Sequence, residues 1–256
     1  MLSPVVFEHP LNERIRVFLR LDRLFQRIEH HAQQKSVWDS QTCIRLILEL
    51  AELTNRGDLK TEVMKELERH HSSLKPLLHD SAVDHSRLGQ LLDKQQHLLS
   101  AVYDSDGKLT SRIRNDEMLN GVQQRVCVRG GGCDFDLPLY HQWLQQPIEA
   151  RHQQFLIWTA PYEHVREAIA LSLEVMRLSA NTQQVCAEQG FYDQVLDTNQ
   201  PLQLLRIILA PGLNCYPEVS AGKHRFSIRF FSMPNTQERP VQVKHNVDFS
   251  LSTCGL

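Results

Sequence analysis

The sequence lacks several features that would assign it to common functional classes. No apolar run approaches the roughly 20 residues of a membrane span. The opening residues, MLSPVVFEHPLNERIR, lack the apolar core of a signal peptide. A charge excess is also missing, because 28 basic and 30 acidic residues give a formal charge of −2, whereas nucleic-acid binders usually carry a basic excess. These absences predict a soluble, cytoplasmic protein with no membrane span and no nucleic-acid partner.

Signatures of metal, nucleotide and nucleophile sites are missing as well. The six cysteines form no C-x-x-C pair, which fits reduced thiols. The glycine-rich segment RGGGCDFDLP at 129–138 is not followed by G-K-[ST], and neither H-E-x-x-H nor G-x-S-x-G occurs. Two adjacent histidine pairs, at 30–31 and 70–71, would each point about 100° apart on a helix, which is poor geometry for a shared metal. We therefore predict no catalytic residue, no metal and no cofactor.

The apolar residues, 41% of the chain, allow a buried core, and their spacing changes once along the sequence. Helical spacing dominates the first part of the chain, whereas the last part alternates with period two, as one-sided burial in an antiparallel sheet requires. We predict an α+β protein with a mainly helical domain at 1–180 and a smaller antiparallel β domain at 181–256. Residues 5–9, VVFEH, are predicted to be a strand that can join the C-terminal sheet.

Capping and turn residues locate individual elements within this outline. Asn12, Asp58 and Asp84 are each suited to cap a helix. The segments PLYHQWL and PYEHVREAIALSLEVMRLSA are predicted to form two further helices. In the C-terminal part, two short strands are expected on either side of Gln189-Gly190, since this dipeptide favours a hairpin turn.

The segment GKHRFSIRFF at 222–231 places cations on one parity of a predicted strand and apolar side chains on the other. Alternate residues of a strand lie about 7 Å apart on one face, so Lys223, Arg225 and Arg229 are expected to span about 20 Å. A solvated sheet face is the plain explanation. Arginine favours a functional one, because its planar fork suits bidentate recognition of carboxylates. We interpret the stripe as a site for an acidic peptide.

Two other functional classes stay open at this stage. The same cations could serve a nucleic-acid-binding module that uses the basic strand face. An enzyme of unknown reaction is the other alternative, because the members of a catalytic constellation need not be near one another in the sequence.

Several segments, taken together, resemble the ZapD family of Z-ring-associated bacterial division proteins. The similarity runs in order through nearly the whole chain, and FEHPLNE and GCDFDLP are its most specific motifs. The segments are VFEHPLNERIRVFLRLD (6–22), RGDLKTEVMKELER (56–69), GGGCDFDLPLYHQWL (130–144), GFYDQ (190–194) and YPEVSAGKHRFSIRF (216–230).

The resemblance implies a function for the chain. It implies a homodimer without catalytic activity that binds the C-terminal tail of FtsZ, the tubulin-like GTPase of the division ring. It further implies that the chain crosslinks and bundles FtsZ filaments, promotes Z-ring assembly in septation, and concentrates at mid-cell. The residues that correspond to the family's basic tail-binding surface are Arg20, Arg56, Arg114, His141, Lys223, Arg225 and Arg229.

Overall fold

The computed structural model describes residues 3–55, 58–105, 109–126, 133–197, 202–233 and 237–255. Helices fill the middle of the chain and antiparallel strands fill its C-terminal part, which confirms the α+β class. The chain divides into two compact units, residues 20–172 and residues 1–19 together with 173–256. The boundaries between the two units, at 19/20 and at 172/173, both fall within long helices. The division into a helical domain at 1–180 and a β domain at 181–256 remains a prediction.

The helical elements lie between Glu13 and Leu178. Ala160–Tyr162 forms a short 3₁₀ segment before the last helix, and Lys75–His79 forms another after the third. The α-helices are α1 (Glu13–Ala32), α2 (Val37–Thr54), α3 (Leu59–Leu74), α4 (His85–Asp104), α5 (Ser111–Arg114), α6 (Glu117–Val126), α7 (Pro138–Leu144), α8 (Ile148–Thr159) and α9 (Glu163–Leu178).

Two of the three predicted caps make the expected hydrogen bond. The Asn12 side chain accepts from the Ile15 amide at 2.9 Å, and the Asp84 carboxylate accepts from the amides of Ser86 and Arg87. Asp58 precedes α3 but its side chain makes no capping bond, so that prediction was wrong in its mechanism. Helix α2 begins at Val37 with Ser36 as its cap, because the Ser36 hydroxyl accepts from the backbone of the first turn.

Residues 20–172 bury an aromatic and aliphatic core of their own. Trp143, Phe155 and Trp158 form a ring cluster with centroids 5.6–6.0 Å apart. The Trp158 indole N–H donates to the Asp116 carboxylate at 2.9 Å, so the polar end of this large side chain is satisfied. The buried Tyr162 hydroxyl lies 3.2 Å from that of Thr54.

The other unit contains two antiparallel sheets. The first sheet has the order β1-β4-β8-β2, and the second has the order β3-β6-β5, with β7 pairing beside the end of β6. The predicted strand at 5–9 is β1, which pairs with β4 from Val5↔Leu209 to Pro10↔Leu204. The strands are β1 (Val5–Pro10), β2 (Asn181–Ala187), β3 (Phe191–Val195), β4 (Leu204–Leu209), β5 (Tyr216–Ala221), β6 (Arg225–Ser232), β7 (Val241–Gln242) and β8 (Val247–Cys254).

One apolar cluster lies between the inward faces of these two sheets. Phe226, Ile228 and Phe230 of β6 are at most 1% exposed, and they pack with the buried side chains of β4 and β8. This burial fixes the register of β6, since a slip by one residue would turn its arginines into the core. The opposite parity of β6 therefore faces solvent.

Candidate functional site

The exposed parity of β6 carries the residues that the sequence singles out. Arg225 and Arg229 are exposed and Ser227 is half-buried, while Phe226, Ile228 and Phe230 of the opposite parity are buried. The four-residue interval along a strand separates the two arginines by about 13 Å. Within the part of the chain that the structure describes, neither guanidinium forms an ion pair. Both positive charges are consequently available to a partner.

Lys223 does not lie on this strand, which corrects the prediction of a three-cation stripe about 20 Å long. Strand β6 begins at Arg225, and Lys223 and His224 form the exposed turn that follows β5. The Gly222 amide donates to the Arg225 carbonyl at 2.9 Å and closes this hairpin. Lys223 is close to Arg225 in the chain, but the turn, and not the alternation of the strand, sets the direction of its side chain.

Each arginine has side chains of the neighbouring strands beside it on the exposed face. Directly paired residues of antiparallel strands share a face of the sheet, so the pairing identifies these side chains. Arg229 pairs with Phe191 of β3 and with Glu218 of β5. Its guanidinium carbon lies 5.7 Å from the centroid of the Phe191 ring, a cation–π arrangement. Arg225 pairs with Val195 of β3 and has the hairpin turn on its other side.

Acidic side chains share this surface with the arginines. Asp193 of β3 pairs with Ser227, in the row between the two arginines, and Glu218 lies directly across from Arg229. All three strands therefore contribute to one exposed surface of mixed charge. We call this surface the arginine face, which consists of Phe191, Asp193, Val195, Glu218, Ser220, Arg225, Ser227 and Arg229.

The remaining predicted residues lie in the helical unit, residues 20–172. Arg20 is exposed on α1, Arg114 is exposed at the end of α5, and His141 is exposed on α7. The Arg114 carbonyl accepts a hydrogen bond from the Asn120 side chain at 2.7 Å, which fixes the backbone there. Three different helices carry these side chains. Arg56 lies outside the residues that the structure describes.

An open depression of about 640 Å³ lies beside β3, lined by side chains that include Cys186, Glu188 and Asp193. A hydrogen bond to Asp248, together with burial and nearby carboxylates, raises the pKa of the Cys186 thiol. Activated cysteines require the opposite shift, since the thiolate is the nucleophile. The raised pKa therefore does not favour the Cys186 thiol as a nucleophile.

Sequence reasoning missed the contribution of β3 and β5 to the surface. The segment FYDQV is predicted to be a strand, and its exposed parity is Phe191, Asp193 and Val195. The sequence alone predicts that these three side chains share one face of the strand. Their position beside the arginines depends on the pairing of β3 with β6, which the sequence pattern does not give. Burial and the Asp193 charge raise the pKa of Tyr192, whose ring packs on the inner side of the same strand.

Comparisons with known proteins agree with the resemblance. A family model described as "ZapD: Cell division protein" matches residues 19–229. The "Cell division protein ZapD" of Methylococcus capsulatus is 35% identical over 254 residues, which is 99% of each chain. The proteins of the same name from two strains of Coxiella burnetii are 32% identical over 253 residues, 98% of each chain.

The α+β fold and these full-length similarities define the class of the molecule as a cell division protein. The family model matches well over half of the sequence, and relatives 32–35% identical align over nearly all of it. The chain therefore belongs to the ZapD family. Among its described helices, none combines the length and apolarity that crossing a bilayer requires.

Proposed function

We propose that this chain binds the C-terminal tail of FtsZ through the arginine face and crosslinks FtsZ filaments into bundles as a homodimer. The protein acts in the cytoplasm at the mid-cell division site and promotes Z-ring assembly. It contributes binding geometry and charge, without a catalytic step or cofactor. Membership of the ZapD family supports the cell-division context of this proposal.

The observation that carries the proposal is the pair of exposed arginines on one rigid strand. Arg225 and Arg229 project from the same side of β6, whose other side is anchored in the core by three buried residues. The sheet fixes the backbone from which each arginine projects, and the planar donor fork of a guanidinium permits two parallel hydrogen bonds to a carboxylate. These properties suit recognition of an acidic polypeptide segment.

The two arginines are not equivalent. Arg229 has the carboxylate of Glu218 on the paired strand and the Phe191 ring against its guanidinium. Arg225 faces no acid across either neighbouring position, since Val195 and the turn after β5 flank it. Arg225 therefore offers the more accessible charge, and we assign it the larger share of tail binding.

Other candidates extend the proposed tail-binding residues beyond this face. Lys223 lies in the adjoining turn and adds an exposed positive charge near Arg225. Arg20, Arg56, Arg114 and His141 are proposed contacts on the strength of the family resemblance. Alanine substitution of each candidate, followed by low-speed pelleting of polymerised FtsZ, tests whether that residue contributes to bundling.

In this proposal, bundling results from the two tail-binding sites that one homodimer carries. A flexible tail loses conformational entropy on docking, so a single contact is expected to be weak, at about micromolar affinity. A homodimer carries two sites. When one has engaged a filament, the other binds at a high effective concentration, which strengthens attachment by about 10²–10⁴-fold. Engagement of tails on two different filaments joins those filaments.

The decisive variant is Arg225→Glu. Because Arg225 is exposed and its neighbours Phe226 and Ile228 anchor the strand, the substitution is expected to leave the fold intact. It reverses the charge that meets the tail, so bundles should disappear from low-speed pellets of polymerised FtsZ. Circular dichroism and the urea midpoint of the variant verify that it is folded.

Arg87→Glu is the matched control, since Arg87 is an exposed arginine in the first turn of α4. This variant carries the same change of charge and should bundle as the unmodified chain does. Normal bundling by a folded Arg225→Glu protein would contradict the assignment of the tail site to the arginine face.

A further inference from the structure

We propose that the arginine face selects a segment of mixed charge and not a uniformly acidic one. The preferred ligand is an extended segment with two carboxylates four residues apart, a neutral or basic residue midway between them, and apolar side chains alongside. This inference rests on the proposed function, because it specifies the chemistry of the segment that the same face would take.

The pairing register supplies the spacing. Arg225, Ser227 and Arg229 occupy successive rows of the face, about 7 Å apart, and the first and third rows carry the cations. An extended ligand has the same repeat, since its alternate side chains also lie about 7 Å apart on one side. Carboxylates at positions i and i+4 of a ligand that lies along the β3 side of β6 therefore meet both arginines, with Glu218 on the opposite, β5 side of Arg229.

The row of Ser227 and Asp193 determines which ligand residue is preferred between these two carboxylates. Asp193 is exposed and pairs with Ser227, which places its carboxylate between the two arginine rows. Within the described residues no ion pair engages Asp193, so its negative charge is open to the ligand. A third carboxylate at position i+2 would face this charge, and like charges in close contact disfavour binding. A lysine at i+2 would instead be attracted.

Exposed apolar side chains on β3 add a second requirement. Val195 is 75% exposed and Phe191 is 39% exposed, and they flank the rows of Arg225 and Arg229. No core packing accounts for the exposed part of Val195. Apolar ligand side chains next to the two carboxylates would bury this surface, which stabilises the complex by about 25 cal/mol per Å² of apolar area.

The test uses the full chain and two synthetic peptides immobilised on a biosensor surface. TDVKVDT carries carboxylates four residues apart with lysine between them, and TDVDVDT replaces only that lysine with aspartate. We expect the lysine peptide to bind at least about fivefold more tightly than the triple-acid peptide, since reversing one exposed charge pair changes binding by about 1 kcal/mol. Equal or weaker binding of the lysine peptide would overturn the proposal, as would failure of both peptides to bind.

Variants assign the preference to Asp193. Asp193→Asn should bind the two peptides with nearly equal affinity, and Asp193→Lys should prefer the triple-acid peptide. Glu174→Lys changes the charge equally at an exposed position of α9 and should keep the original preference. A preference that survives in Asp193→Asn would refute the role of this residue.

The two proposals fail in different measurements. If Arg225→Glu abolishes FtsZ bundling but the unmodified chain prefers the triple-acid peptide, the FtsZ function stands and the mixed-charge inference is wrong. If the peptides and Asp193 variants behave as expected but Arg225→Glu still bundles FtsZ, the face has the inferred selectivity and its assignment to the FtsZ tail is wrong.

Discussion

At the scale of single residues, the turn between β2 and β3 explains the glycine of the GFYDQ motif. Gln189 and Gly190 both have positive φ, 49° and 73°, the backbone conformation of the tight turns that join antiparallel strands. A Cβ on Gly190 would lie 2.4 Å from the Val243 carbonyl oxygen. The Gly190 carbonyl also accepts from the Phe230 amide at 2.9 Å, so the turn is held against β6.

Gly190→Ala is therefore expected to destabilise the fold. The substitution adds a steric clash with backbone to an unfavourable φ, and we expect a loss of about 2 kcal/mol or more in the free energy of unfolding. Urea denaturation followed by circular dichroism measures this change. The matched substitution is Gly89→Ala in α4, where nothing lies within 4 Å of the added Cβ. It should stabilise the chain by about 0.5–1 kcal/mol, and destabilisation of equal size by both variants would contradict the explanation.

Some residues of the candidate site could be predicted from the sequence and others could not. The alternation of RFSIRF predicted which β6 side chains are buried, because a strand with one covered face must repeat every two residues. It did not separate Lys223 from the strand, since a turn residue and a strand residue can share parity. Asp193 and Glu218 could not be placed beside the arginines, because that proximity arises only when three separate strands pair.

At the scale of elements, a cluster of charges joins β1 to two other elements. The Glu8 carboxylate receives two hydrogen bonds of 2.8 Å from Arg177 of α9 and one of 3.0 Å from Arg206 of β4. Burial alone would raise the pKa of Glu8, but the hydrogen bonds and charges of the two arginines outweigh it and lower the pKa below 4.5. The negative charge of Glu8 thus stabilises the fold.

Glu8→Gln should cost about 1–2 kcal/mol of unfolding free energy at pH 7, the range expected for partly solvated charge-assisted hydrogen bonds. A carboxylate with a lowered folded pKa contributes stability that is fully present above its unfolded pKa and is lost as the pH falls through the folded value. The stability difference between Glu8→Gln and the unmodified chain should therefore shrink below about pH 4.5. Urea denaturation at several pH values measures it.

Glu13→Gln serves as the comparison for this prediction. Glu13 pairs with Arg16 on the exposed side of α1, with 67% of its side chain accessible, and exposed ion pairs contribute little. Its substitution should leave both the stability and its pH dependence nearly unchanged. A Glu8→Gln penalty that stays constant down to pH 2 would show that the charge of Glu8 is not what holds the elements together.

Elements with a clear periodicity or cap were predicted well, and those without one were missed. Helix α8 was not predicted as a separate helix, because Phe155, Leu156, Ile157 and Trp158 place consecutive apolar residues all around it. Strand β5, YPEVSA, contains a proline and no apolar alternation, and only its pairing with β6 reveals it. Both depend on tertiary contacts that local patterns do not encode.

At the scale of the whole molecule, the proposed bundling combines weak contacts that are mainly electrostatic. Exposed charges interact over about 10 Å at 0.1 M salt and about 3 Å at 1 M. The fold instead depends on buried apolar clusters in both units, which moderate salt does not weaken. Assembly with FtsZ and folding of the chain should therefore respond differently to salt.

We expect FtsZ bundling to fall steeply between 0.1 and 1 M sodium chloride while the urea midpoint of the chain changes little. Low-speed pelleting measures bundles, and high-speed pelleting in the same samples measures total FtsZ polymer, so that a loss of filaments is not mistaken for a loss of bundling. Bundling per unit of polymer that is insensitive to salt would indicate an apolar interface instead of the arginine face.

The pairing of β1 with β4 also has a consequence for synthesis of the chain. The two strands are separated by about 200 residues, from Val5 to Leu209, and a ribosome adding about 5–20 residues per second needs roughly 10–40 s to cover that distance. Throughout this interval the nascent β1 has no hydrogen-bonding neighbour in its native sheet. During synthesis β1 is therefore an unpaired strand, open to non-native pairing, until β4 has been made.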